Sequence, residues 1–277
     1  MFEIRYGSNP RAIARMSTAE LREQYLSGHL FTPGQINGAY LHDDRIVVLG
    51  VVPTDVPLEI PTYDPLRADF LLQRREAGII NVGGPGAIEA DGEPFEMAHT
   101  ACLYLGRGTR QIRMTSADPA NPAAFYVFSA AAHVSLPAKL VRPGEGAQVE
   151  LGTSTNVNRR TLNQCIWEGG APSAQIVMGF TQVHSGSAWN SMPAHTHDRR
   201  TECYLYFDLP EEERVLHVMG EPQQTRHLVV ANRELVISPS WSVHFGAGTA
   251  NYTFVWATAG ENQTFDDMDQ LSTSDLR

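Results

Sequence analysis

The chain has 277 residues, and 21 Lys and Arg against 31 Asp and Glu leave a net charge of −10. Apolar residues at 42% and charged residues at 19% support a sizeable core and exclude a disordered chain. The acidic balance argues against a surface for nucleic acid or an anionic membrane, both of which need clustered Lys and Arg. The length allows one large or two ordinary domains.

The first residues hold no apolar stretch of roughly 7–15 residues, as a signal peptide needs, and no run approaches the ~20 that span a bilayer. A cytoplasmic protein is expected. Ser17 and Glu20 frame a capping box, which predicts a short amphipathic helix with Gly28 at its C-terminal cap. Almost everything after it reads as short strands: residues 45–52, 78–82, 87–90, 103–105, 111–114 and 125–129, with Asp91-Gly92 as a hairpin turn. A polar stretch over residues 143–163 precedes a second set at 175–183, 202–207, 215–218, 227–230, 235–237 and 252–257. Gly and Pro punctuate the runs as turns do. The spacing is that of antiparallel sandwiches or barrels.

The halves are weakly repeated. Arg74, Arg75 and Glu76 before one strand resemble Arg199, Arg200 and Glu202 before another, at a separation of about 125 residues. An all-β chain of two tandem barrels is predicted, divided into residues 1–150 and 151–277. Cys102, Cys165 and Cys203 form no C-x-x-C pair, so buried thiols are expected rather than a disulfide framework or a Cys-rich zinc site.

The chemistry concentrates late in the chain. His195 and His197 are two apart, so on a strand their imidazoles project from one face. Glu202 follows after a short turn, and His244 stands five residues after Pro239. Three ligands from neighbouring strands, and a fourth from further on, can meet around a divalent metal at ~2.0–2.2 Å. A lone strand histidine is usually structural, but this combination of spacings is far rarer. Tyr204 and Tyr206 share the face of Glu202 and are candidates for proton transfer, with aromatic core as the alternative. Arg159, Arg160, Arg199, Arg200 and Arg226 offer positive charge; adjacent arginines on a strand point to opposite faces, so one of each pair reaches a pocket. Of these, Arg160 and Arg199 are the choices for reaching the pocket.

The set His195, His197, Glu202 and His244, with Pro239, resembles the two signature motifs of the cupin superfamily, whose fold is a double-stranded β-helix barrel. Trp189, Arg233 and Gly248 depart from the general pattern and leave the ligands intact. A fuller resemblance runs nearly the whole chain. Blocks at 72–81, 153–161, 189–197, 219–227, 237–244 and 260–269 resemble the 5-keto-4-deoxyuronate isomerase family of pectin and uronate breakdown. That resemblance implies two cupin barrels, a homohexamer, and one zinc per chain held by His195, His197, Glu202 and His244, with a metal-free N-terminal barrel. It implies an aldose-ketose isomerisation of a small sugar acid, in which the metal polarises O1 and O2. Glu261, with Asp266 or Asp267 from the same block, is a further candidate base. Fe(II) or Mn(II) suits the same ligands, so a metal-dependent cupin dioxygenase is the alternative, followed by a non-catalytic uronate-binding cupin.

Overall fold

Strands that read as continuous apolar runs prove to be buried on both faces. In the computed structural model, which describes residues 1–277, Arg75–Asn81 and Arg200–Phe207 are buried at every residue. Each lies inside a seven-stranded sheet. The first sheet orders Phe2–Arg5, Ile36–Leu41, Val47–Val51, Phe125–Ala131, Arg75–Asn81, Cys102–Leu105 and Lys139–Val141. All its pairings are antiparallel except the parallel pair Phe2–Arg5 with Ile36–Leu41. A four-stranded sheet, which includes the hairpin turning at Asp91 and Gly92, shares a core with it through Leu49, Ile79, Ile88, Met97 and Met114. Both turn residues have positive φ, 49° and 87°, which the Asp-Gly pair tolerates.

The second seven-stranded sheet orders Ala147–Leu151, Arg160–Ile166, Val177–Val183, Thr253–Gly260, Arg200–Phe207, Leu235–Ser238 and Leu26–Ser27. A three-stranded sheet of Gln224–Val230, Val215–Glu221 and Val243–Gly248 shares its core, built on Tyr204, Tyr206, Met219, Phe254 and Trp256. The two large sheets pack back to back, with Val48, Ile80, Tyr126 and Phe128 in one cluster with Met178, Leu205, Phe207 and Val255. This burial of both faces explains why alternation is weak there and apolar runs are long. No helix is long and apolar enough to cross a membrane.

The repeat in the sequence is a repeat in register. Arg75 pairs with Ala131 at one end of its strand, as Arg200 pairs with Gly260, so Ala77 stands where the second half has Glu202. The expected helix forms over Thr18–Tyr25 with the full Ser17–Glu20 capping box. Its end differs from expectation. Leu26 is extended, and Leu26–Ser27 pairs with Leu235 and Val236, so the chain leaves the helix as a strand and Gly28 is not its cap. The helix packs on the C-terminal half through Leu21 and Tyr25. Ala147–Leu151 likewise pairs with Arg160–Ile166 and so belongs to the second large sheet.

Glu76 ties the halves together. Fully buried, it accepts hydrogen bonds from the Tyr104 hydroxyl (2.7 Å) and the backbone N–H groups of Ala174 (2.6 Å), Gln175 (2.8 Å) and Ile176 (2.9 Å). Removing one buried charged acceptor leaves several donors unsatisfied. Glu76→Ala is expected to lower unfolding free energy by ~3–5 kcal/mol in a denaturant titration, and a loss below about 1 kcal/mol would contradict this role.

Candidate metal centre

Strand alternation builds the floor of the site. Along Arg200–Phe207, Glu202, Tyr204 and Tyr206 face the barrel interior, while Cys203, Leu205 and Phe207 face the other large sheet. His244 comes from Val243–Gly248 in the three-stranded sheet, after a turn in which Ser242 N–H donates to the Pro239 carbonyl. His195 lies on the two-residue strand His195–Thr196, and His197 follows it.

These four residues meet. Their donor atoms all lie within 4.8 Å of one another. His244 Nε2 is 3.0 Å from His195 Nε2 and 3.2 Å from Glu202 Oε2, and His197 Nε2 is 2.8 Å from the same oxygen. The outer nitrogens decide what the inner ones carry. His197 Nδ1 donates to the Arg200 carbonyl (2.9 Å) and His244 Nδ1 to the Ser242 carbonyl (3.0 Å), since a carbonyl only accepts. In the neutral rings both Nε2 atoms therefore present lone pairs to a carboxylate oxygen. Facing acceptors in a buried space need a cation between them. The spacings are near the ~3.3 Å edges of a tetrahedron with ~2.05 Å bonds, so the donor set fits a divalent metal.

Electrostatics agree with that fit. Burial pushes His195 down to about 3, and His244 beside it pushes in the same direction, which keeps the ring neutral and ready to ligate. Burial acts to raise the Glu202 carboxyl, but His244 and His197, when protonated and donating to it in the metal-free site, outweigh burial and hold it well below the usual carboxylate range. Glu202 is therefore an anion on which a metal can replace those protons.

A cavity of about 570 Å³ opens on His195, His197 and Glu202. Tyr204 lines it, stacked on Phe254 at 4.9 Å and sharing a 2.9 Å hydrogen bond with Ser191 Oγ. Burial, reinforced by Glu202, drives its phenol far up, so Tyr204 is a neutral proton donor. Tyr206 lies deeper and outside the lining, with its hydroxyl 2.7 Å from His217 Nδ1. Arg160 lines the cavity, donating to the Asn158 carbonyl (2.8 Å).

Two expected residues stand elsewhere. Arg199 is outside the lining, ion-paired with Asp267 (2.5 Å) and Asp269 (2.8 Å), and it is Arg200 that lines the cavity. Arg200 shares the inward face of Glu202 two residues on, so alternation pointed to it. Glu261 is exposed and outside the lining, because the chain turns away after Gly260; Asp266 of the same segment is in it. Ser191 and Trp167 also line the cavity, and no pattern in the sequence singled them out.

The model of the KduI/IolB family matches residues 64–273. The chain belongs to the KduI/IolB family. Among its relatives, the 4-deoxy-L-threo-5-hexosulose-uronate ketol-isomerase of Kineococcus radiotolerans is 53% identical, covering 99% of this chain and 100% of that one. The protein of the same name from Formosa agariphila is 46% identical, over 100% and 99%. Solved structures match in fold. An IolB-like protein of Salmonella typhimurium LT2 gives a TM-score of 0.66 at 17% identity, covering 82% of this chain and 86% of that one. A mutant oxalate decarboxylase of Bacillus subtilis gives 0.56 at 10% identity, covering 82% and 71%. The KduI/IolB chain is thus an all-β protein of cupin type with a His/Glu cluster able to hold a metal.

The buried core of the C-terminal half makes stability depend on pH. Burial, with His244 nearby, pushes His217 down to about 3, against roughly 6.5 in an unfolded chain. The unfolded state takes up this proton as pH falls through 6.5, and the folded state does so only near 3. The contribution is complete above about pH 6.5 and is lost progressively toward pH 3, by up to ~5 kcal/mol. Urea midpoints of metal-free protein should fall steadily across that window and fall less steeply in His217→Asn. Equal slopes for the two proteins would contradict the assignment.

Proposed function

We propose that the chain is the ketol-isomerase that converts 5-dehydro-4-deoxy-D-glucuronate to 3-deoxy-D-glycero-2,5-hexodiulosonate. The observation that carries this reading is the convergence of His195, His197, Glu202 and His244 into one cluster, three of whose members line a cavity that also holds Arg160 and Arg200. Full-length relatives named as ketol-isomerases support the choice of reaction.

His195, His197, Glu202 and His244 would hold one zinc ion per chain, which supplies Lewis acidity toward the C1 and C2 oxygens and acidifies the C2 proton. No electron transfer is required, so a redox-inert metal suffices. The chain's own residues do the rest. Arg160 takes the substrate carboxylate, and the Arg200 guanidinium adds positive charge to the same cavity. Tyr204, hydrogen-bonded to Ser191, gives its hydroxyl proton to the C1 oxygen and recovers one from the C2 hydroxyl, while Asp266 in the cavity wall takes the proton from C2 and returns it to C1. Phe254, Trp256 and Phe265 line the same cavity and limit water around the reacting carbons. Homohexameric assembly rests on the family resemblance, and a cytoplasmic location on the lack of an apolar leader or membrane-spanning run in the sequence.

Turnover is the test. The open-chain 4-deoxy-5-ketouronate, generated enzymatically from unsaturated digalacturonate, is added to zinc-loaded protein and its C1 aldehyde proton followed by NMR. Loss of the aldehyde with appearance of the 2,5-diketone is expected, abolished in His195→Ala. Tyr204→Phe is expected to retain zinc and lose ~10²–10⁴-fold in kcat. An unchanged aldehyde with one metal bound per chain would overturn the isomerase reading.

A further inference from the structure

Three of the four donors are held by the barrel itself. Glu202 lies in the large sheet, His244 in the three-stranded sheet, and His197 is locked by the Arg200 carbonyl. His195 is different. Its strand, His195–Thr196, pairs only with Asp269–Gln270 of the C-terminal tail, and Leu271 N–H extends the pairing by donating to the Ala194 carbonyl (3.0 Å).

The same tail is a wall of the cavity, to which Phe265, Asp266, Met268 and Gln270 contribute. It is fixed at its far end, where Leu271 and Leu276 pack beside Val243 and Phe245 and Thr225 N–H donates to the Arg277 carbonyl (2.9 Å). Between Gly260 and Leu271 it is gripped by two adjacent arginines. Arg200 reaches it from inside, donating to the carbonyls of Thr264 (2.6 Å) and Asp267 (2.9 Å). Arg199 reaches it from outside: Nε donates to Asp267 Oδ1 (2.5 Å) and Nη2 to Asp269 Oδ2 (2.8 Å). Asp269 is the residue that pairs with Thr196, one position from His195.

We propose that Arg199 is a positioning residue: through Asp267 and Asp269 it holds residues 262–271 as the cavity wall, and that wall fixes His195 in the ligand cluster. The inference rests on the metal reading of the site. Arg199 is partly exposed, and ion pairs of that kind add little to global stability. Its effect is therefore local: without it the wall opens more often, and the ligand it supports is released more easily.

The test uses the full-length zinc protein, Arg199→Ala, the double variant Asp267→Asn with Asp269→Asn, and Arg199→Lys. Hydrogen exchange of amides 263–271, transfer of zinc to a chelator and thermal midpoint are measured on each. Arg199→Ala and the double variant are expected to keep the parental midpoint within about 3 °C. Both should exchange the tail amides faster and release zinc roughly 10–100-fold faster, with Arg199→Lys recovering part of both effects. Parental exchange and zinc release in both variants would overturn the proposal. Faster exchange with parental zinc release would overturn the link from wall to ligand. Should Arg199→Ala fail to fold, the double variant reads the same clamp from the carboxylate side. A parent chain that takes up no zinc would overturn the metal reading instead, and tail exchange in that chain would still decide the clamp.

Discussion

Buried acceptor atoms that face one another are the constraint around which the C-terminal half is organised. Two imidazole lone pairs and a carboxylate oxygen stand about 3 Å apart because each outer ring nitrogen is committed to a backbone carbonyl. That arrangement is unfavourable in a barrel interior without a cation, and it persists because each donor hangs from a separately anchored backbone. A large-sheet strand gives Glu202, a small-sheet strand gives His244, and the tail-backed strand gives His195. Centre, cavity and tail are consequences of one geometry.

The N-terminal half contributes support. Its large sheet covers the back of the strand that carries Glu202 and Tyr204, so that strand is packed on both faces and its register cannot slip without burying polar groups in the wrong layer. Glu76 adds direction to this contact, since three consecutive backbone N–H groups at 174–176 converge on it. The helix Thr18–Tyr25 and strand Leu26–Ser27 then cross to the other half and close the far edge of its sheet. Ala77 stands at the register position of Glu202, which places an apolar residue where the second half has a ligand.

Much of this was legible in the residues. Strands with two buried faces announce themselves as apolar runs, and the capping box and the Asp91-Gly92 turn carry their own local chemistry. The H-x-H spacing with Glu202 and His244 marked the cluster before any coordinates. What escaped was set by tertiary context. Ala147–Leu151 is exposed at four of its five residues and the start of Arg160–Ile166 is half-buried, so this stretch reads as a loop although it forms the cavity-side edge of a sheet. Alternation from Glu202 assigns Arg200 to the interior and turns Arg199 outward. The carboxylates that Arg199 meets come from a tail about 70 residues later, and no local pattern reports that return. Glu261 lies outside the cavity for the same reason, because the path of the tail is set by contacts with those arginines.

X-ray absorption at the zinc edge of protein loaded with one equivalent of zinc per chain tests the central claim most directly. The expected spectrum has a first shell of nitrogen and oxygen at about 2.0–2.2 Å with the outer scattering of several imidazoles, and the imidazole signal is reduced in His244→Ala. A shell containing sulfur, or a spectrum of hydrated zinc indifferent to His244, would contradict it.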